Sequence, residues 1–541
     1  MGAAPRWTLA TVGLIALVTL GARLDWESSP RFLDSYYHLA VIQGFQHAGG
    51  VALHAFWEAA PGGRPHLYPP LFHLAWAPAW WVTRDPITVA RLWSLVSAPL
   101  LLLGVAWVTR ILGGARRAGL TVAAMLIPAG LYRSTLIHPT ASLALIGVLG
   151  VWVLLERRQV LAGGLLLGLV GWLHPAIPWV TLLALGLLAI THRAYRHALA
   201  IAGIGLTLMA PWWLHVSRHL GTLHWLRQPE AQHLELSPAF IALGAAGLLL
   251  TRRHHLAYRF PVALLVAALP WAGLYPYRLL SAQGLVPLGL LAGLALDAGC
   301  QRWVRLDTAR WQVLSSVVAL GLLLTVSPTV MVQPRRPPAV SWGDTGLITA
   351  VRGVPLGRGH LEALYDERHF APLAQHLRRW AAADDLLFCN FPYMGGLFSV
   401  LTGLATTTSM VAEAGRQPWD EALAHARWIL WLKMPADLDP LNDATAQRLA
   451  DGRSWRLALE TPIAFLYEAP EATPPPVLGP AGRPAEPATS GQTGGGATGR
   501  RTMRGTVIPW WLAYGVLAAI GVALWWVLLR WVLLRRQLPG A

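Results

Sequence analysis

Asp34 and His38 are the first residues in the chain whose types and spacing suggest chemistry. They close the run Asp34-Ser35-Tyr36-Tyr37-His38, and on a helix positions four apart share one face. A carboxylate and an imidazole one turn apart can share a divalent cation. The other reading is an interfacial helix, with Tyr36 and Tyr37 among lipid headgroups and Asp34 in water. Arg278 closes the run Tyr275-Pro276-Tyr277-Arg278. A guanidinium there can grip a phosphate through two parallel hydrogen bonds, or it can snorkel at a membrane interface. His138 and His174 each precede a proline, which reads as a turn with the proline opening a helix; His138 could also ligate a metal. Cys389 reads as a buried thiol at a strand end rather than a nucleophile. With Cys300 far from it in sequence, no disulfide framework is expected.

The elements that position these residues follow from composition. The chain has 541 residues, 55% of them hydrophobic and only 13% charged, against about 25% charged in an ordinary soluble protein. The apolar residues gather in runs of about twenty, the length that suits a bilayer core. This excludes a soluble enzyme, a disordered chain and a disulfide-stapled secreted domain. The 43 Lys and Arg exceed the 27 Asp and Glu for a net charge of +16, and Lys433 is the single lysine. In a membrane protein that excess reports topology more than nucleic-acid binding. Spans are expected at 7–24, 87–108, 119–132, 141–155, 160–173, 176–190, 198–215, 238–250, 261–275, 279–296, 311–332 and 507–529. Segment 7–24 reads as the first span and not as a cleaved signal peptide, since no small-residue cleavage site follows it. With the arginine-rich loops inside, 25–85 becomes an external loop, and 68–83, with Pro69, Pro70, Pro78 and three tryptophans, lies along the membrane surface. Ten acids precede residue 333, and seven of them fall on the outer side, which points to a site at the outer surface.

Beyond residue 332 the composition changes. Short apolar strands at 386–389, 428–432, 455–459 and 463–467 alternate with helical patterns at 373–382 and 441–449. The expected architecture is a mainly α polytopic membrane protein of about twelve spans. A small α/β extracytoplasmic domain occupies 333–469, a Pro/Gly/Thr/Ala-rich linker 470–505, and a membrane anchor 506–541.

Asp34-Ser-Tyr-Tyr-His38-Leu39, followed by Gly63-Arg-Pro-His-Leu-Tyr-Pro-Pro-Leu-Phe72, resembles the first external loop of oligosaccharyltransferase catalytic subunits. More broadly it resembles the GT-C glycosyltransferases, which take sugars from polyprenyl-phosphate or polyprenyl-pyrophosphate carriers. The resemblance implies that Asp34 binds a divalent metal, Mg or Mn, and the acceptor, with His38 beside it and Tyr37 near the substrate. It implies an acidic metal-binding pair after Arg133-Ser134, where this chain has His138 as the only substitute. It also implies a glutamate in the loop before the last four core spans, for which Glu235 is the first candidate and Glu230 the second. Arg278 takes the place of an arginine on the carrier's pyrophosphate. The Trp-Trp-Asp-Tyr-Gly motif that reads Asn-X-Ser/Thr acceptors is matched only by Tyr393 and Gly395 in Cys389-Asn-Phe-Pro-Tyr-Met-Gly-Gly396, so sequon reading is not expected.

The implied reaction moves a sugar from a polyprenyl-linked donor to a protein, lipid or glycan acceptor at the outer face of a bacterial or archaeal plasma membrane. The implied partners are the donor, the acceptor and membrane lipids, with no nucleic acid. Two other classes compete: a transporter or flippase of lipid-linked sugars, and a non-catalytic scaffold displaying 333–469. A transporter would favour internal repeats and charges within spans, and neither stands out. A scaffold would not need Asp34, His38 and Arg278 to converge.

Overall fold

The computed structural model describes residues 3–24, 26, 33–132, 135, 138–222, 234–254, 258–276, 278–281, 283–304, 309–332, 337–352, 367–410, 419–433, 455–469 and 506–537. The apolar runs fold as helices: α1 (Ala3–Leu24), α4 (Pro86–Met125), α5 (Pro139–Glu156), α6 (Val160–Leu173), α7 (Ile177–Thr191), α8 (His197–Arg218), α9 (Pro238–His254), α10 (Arg259–Leu274), α11 (Leu285–Val304) and α12 (Ala309–Val326). Between α1 and α4 lie α2 (Leu33–Ala48) and α3 (Leu71–Thr83). By length and composition α1 (over Arg6–Leu24), α4, α5 and α8 suffice to cross a membrane, and several of the others are shorter apolar helices.

Three of the departures from the sequence expectation fall at a proline; in addition the expected span 279–296 is not one helix, since Arg278–Ser281 is a separate short turn ahead of α11. The apolar run 311–332 is not one span: α12 ends at Val326, and Pro328–Val332 forms strand β5. A residue before proline is pushed toward extended backbone, which stops the helix at Ser327. Likewise 507–509 is a strand, and the helix that follows starts after Pro509. Segment 119–132 breaks after Met125, ahead of Pro128.

Helix α4 is two helices joined end to end across Gly114, whose φ of 84° and ψ of 173° lie in a region that side chains avoid. The two halves match the expected spans 87–108 and 119–132 in part. The arginines flanking the break are anchored: Arg116 Nε lies 2.6 Å from Asp297 Oδ1, and Arg117 reaches Asp297 Oδ2 at 3.0 Å. Asp297 is buried on α11, so this cluster ties α11 to the break in α4. At its other end α4 is capped by Asp85, which accepts the N–H groups of Ile87 and Thr88, with Pro86 in the first turn. Asp85→Ala is expected to cost about 1 kcal/mol, read as a small drop in the thermal midpoint of the purified protein; an unchanged midpoint contradicts it.

The C-terminal part carries a five-stranded sheet in the order β10-β11-β9-β7-β8, from β7 (Leu386–Cys389), β8 (Ala405–Thr406), β9 (Trp428–Leu432), β10 (Arg456–Glu460) and β11 (Ala464–Glu468). β7 is parallel to β8 and β9, while β9, β11 and β10 run antiparallel in turn. Side chains alternate across a strand. Leu387, Cys389, Leu430 and Leu432 accordingly join one core, and Phe388, Ile429 and Trp431 join another on the opposite face. The four expected strands appear within a residue or so of their expected ends. Helix α13 (Glu367–Trp380) covers most of the expected 373–382, and the expected helix at 441–449 lies outside the described residues.

The core on the first face is shared with the segment after α1. Tyr36, Tyr37, Leu39, Phe45 and Trp57 pack in one cluster with Leu387, Phe398 and Leu430. Loop residues 57–60 extend the sheet beside β8: Thr406 N–H donates to Trp57 O at 3.0 Å, and Ala60 N–H to Thr406 O at 2.9 Å. Gln43 donates to the Val400 carbonyl of α14 (Pro392–Thr402). The last helix, α15 (Trp510–Gln537), is docked the same way. β12 (Val507–Pro509) pairs antiparallel with β1 (Gly50–Ala52), and Tyr514 OH donates to Leu74 O of α3.

Candidate active site

Helix α2 carries Asp34, Tyr37 and His38 at i, i+3 and i+4. It is enclosed by protein: Tyr36 is 1% and Tyr37 5% exposed. An interfacial helix with tyrosines among headgroups is therefore excluded. The close packing needs Gly44, because a Cβ there would sit 2.1 Å from the Trp57 ring.

Asp34 Oδ2 accepts a hydrogen bond from His138 Nδ1 at 2.9 Å. His138 stands at the start of α5, 104 residues away in sequence. The Asp34 side chain keeps 35% of its surface, so the carboxylate faces an opening. Burial alone would raise the carboxyl's pKa. The hydrogen bond and charge of His138, with the charges of His38 and Arg278, outweigh that and hold it below the ordinary carboxylate range. It stays an anion and an acceptor at neutral pH.

His38 is 3% exposed, and its Nδ1 lies 3.0 Å from His73 Nε2 on α3. Burial drives its pKa down to about 4, against the pull of Asp34, so the ring is neutral at pH 7. Tyr68 and Phe72 flank it, each with ring centroids 5.0 Å away. Among the described residues no three His, Cys, Asp or Glu side chains form a group that could hold a metal ion. Asp34 is engaged by His138 and His38 by His73, so the donors satisfy one another instead of converging on one point.

Arg278 opens a short helical turn, Arg278–Ser281, with its guanidinium 4.6 Å from the Tyr275 ring centre. Its charge acts on Asp34 and on His174, which brings it into the same neighbourhood. Tyr37, expected near the substrate, lies in the packed interior. It is buried, hydrogen-bonded to Arg64, and set edge-on to Tyr68 with ring centres 5.9 Å apart. Glu235 lies on β4 (Leu234–Leu236), opposite Met331 of β5. Glu230 and the side chain of Tyr393 lie outside the described residues.

Two features escaped the sequence reading. One is His73, the partner of His38; no local spacing marks it, because the pair is 35 residues apart. The other is Glu58, which is fully buried. Its carboxylate lies 2.8 Å from the Arg64 guanidinium and accepts the Met410 N–H at 2.7 Å. Arg64 in turn contacts Tyr37. This clamp joins the C-terminal sheet to the helix that bears Asp34.

No protein-family model matches the chain, and no curated protein sequence matches it. Solved structures do. ArnT from Cupriavidus metallidurans bound to undecaprenyl phosphate aligns over 88% of this chain and 100% of its own, at 15% identity and a TM-score of 0.53. The apo oligosaccharyltransferase of Archaeoglobus fulgidus aligns over 78% of this chain and 69% of its own, at 10% identity and a TM-score of 0.49. The chain shares the fold of ArnT, which is the fold that the resemblance to the GT-C glycosyltransferases implied.

Proposed function

We propose that the protein is a membrane glycosyltransferase that moves a sugar from a polyprenyl-phosphate or polyprenyl-pyrophosphate carrier to an acceptor at the outer face of the membrane. The observation that carries this reading is the open Asp34 carboxylate held by His138 within the field of Arg278. A general base within the field of a phosphate-binding cation suits transfer from a lipid phosphate. A scaffold would have no use for the pair. The undecaprenyl phosphate bound to ArnT supports the carrier class.

In this reading the glycosidic bond to the carrier breaks with its electron pair passing to the phosphate oxygen, where Arg278 offsets the developing charge. An acceptor oxygen or nitrogen forms the new bond to the sugar carbon, and its proton passes to Asp34. His138 fixes the carboxylate's orientation and stabilises its charge. Glu235 is a second candidate acid, on strand β4 ahead of α9. A divalent cation would need a further ligand beyond the described set, and no step above is routed through one. The test is mass spectrometry of lipid-linked sugars and surface glycans in a deletion strain. A lost glycan with accumulated lipid-linked sugar supports the reading; an unchanged profile overturns it.

The reading carries a topology in which both chain ends are cytoplasmic and 333–505 is outside. In a background with Cys300 and Cys389 replaced, Ser490→Cys is expected to react with an impermeant maleimide in intact cells, and Gln537→Cys only after permeabilisation. Labelling of both from the same side rejects the twelve-span path.

A further inference from the structure

His174 lies between α6 and α7 and has so far served only as a turn. Helices α5 and α6 are joined by residues 157–159 and run antiparallel, so the end of α6 returns to the level where α5 begins. His174 therefore stands at the same end of the bundle as His138, the residue that holds Asp34. It is 6% exposed. Its Nδ1 accepts the Ala176 N–H at 3.0 Å and the Ile177 N–H at 3.2 Å.

Those two bonds decide the chemistry of the ring. A nitrogen that accepts two N–H groups carries no proton, so the neutral imidazole must hold its proton on Nε2. Among the described residues nothing accepts a hydrogen bond from that Nε2–H. The tautomer is locked by backbone, so Nε2 cannot turn acceptor or metal ligand without breaking the cap on α7. What remains is a neutral donor of fixed direction, deep in the protein. Burial first, and then the charges of Arg278, His138 and His38, keep the ring well below its ordinary pKa, which puts these groups around it.

We propose that the Nε2–H of His174 donates to a phosphate oxygen of the lipid carrier, beside Arg278. The inference rests on the carrier reading above and adds a residue and a role to it. A neutral donor next to an arginine adds a bond to the anion without adding repulsion to the empty site. Arg278 supplies charge, and His174 supplies direction.

The experiment uses the full-length protein in phosphatidylcholine nanodiscs, with undecaprenyl phosphate as probe and undecaprenol as control. His174→Asn keeps a side-chain acceptor for the 176 and 177 N–H groups, as good N-caps do, but its amide stops short of the Nε2 position. The variant is expected to keep the wild-type thermal midpoint and to bind undecaprenyl phosphate roughly 10- to 100-fold more weakly, the loss of one hydrogen bond to a charged group. Binding equal to wild type leaves His174 a helix cap and overturns the proposal. A second measurement needs no variant. With ¹⁵N-labelled histidine, the Nε2–H signal of His174 is expected to shift with undecaprenyl phosphate and not with undecaprenol. Absence of that shift in a protein that binds the carrier overturns the proposal whatever the variant does. An equal shift in phosphatidylglycerol nanodiscs without carrier assigns the donor to bulk headgroups and also overturns it. Wild-type protein that does not prefer undecaprenyl phosphate to undecaprenol overturns the carrier reading itself, and this inference with it.

Discussion

A deletion strain carrying Asp34→Asn is expected to accumulate lipid-linked sugar as fully as the deletion, with the protein present in the membrane at its normal level. The amide keeps the size of the side chain and a hydrogen bond to His138 but cannot accept a proton. Losing a positioned base costs on the order of 10²–10⁴ in rate. The carboxylate is partly open and is not part of the packed core, so the substitution should leave the fold intact. His138→Ala is the companion variant. It leaves the carboxylate in place without its partner and should retain more activity than Asp34→Asn. Full glycan restoration by Asp34→Asn would remove the residue from the chemistry and favour the scaffold reading.

The second large effect concerns stability. Arg64→Ala leaves Glu58 as a fully buried carboxylate with the Met410 N–H but no cation. Removing one partner of a buried pair costs about 3–5 kcal/mol, because the remaining charge is uncompensated. Thermal unfolding and limited proteolysis of the purified protein should show a lower midpoint and faster cutting within 337–469. Glu58→Gln combined with Arg64→Ala should recover part of the loss, since no charge then stays buried. If the single and double variants unfold alike, the pair is not what clamps the sheet to the first loop.

The sequence told most about segments whose structure is local. The runs at 386–389 and 428–432 could be placed as strands because they are short, wholly apolar and bounded by polar residues. The Asp34–His38 spacing put both on one helical face for the same reason. What could not be read is which distant residue meets them. Asp34 is answered by His138 and His38 by His73, and those pairings are set by how α5 and α3 pack, not by any motif. Among the described residues the expected donors do not form one metal-binding group. Spacing makes a ligand set conceivable, but packing decides whether the donors face a common point or each other. The overlong spans have a different cause. Hydropathy at 327–332 and 507–509 is that of a membrane helix, and it is blind to the prolines and strand partners that make those residues extended. Glu58 was visible as one external acid among seven, and the Arg64 ion pair and the Met410 N–H reveal it as structural.

The pairing of β1 with β12 has a consequence for biogenesis. The two strands are roughly 450 residues apart, and at about 5–20 residues per second the ribosome takes between some twenty seconds and a minute and a half to make the second after the first. Through that interval Gly50–Ala52 is an open strand edge beside the helix that bears Asp34, a surface ready to pair with other chains. Any product that stops within 470–505 would keep that edge exposed for good. Such products should cross-link to chaperones or to each other through the first loop, and quality-control proteases would have a marker for incomplete synthesis.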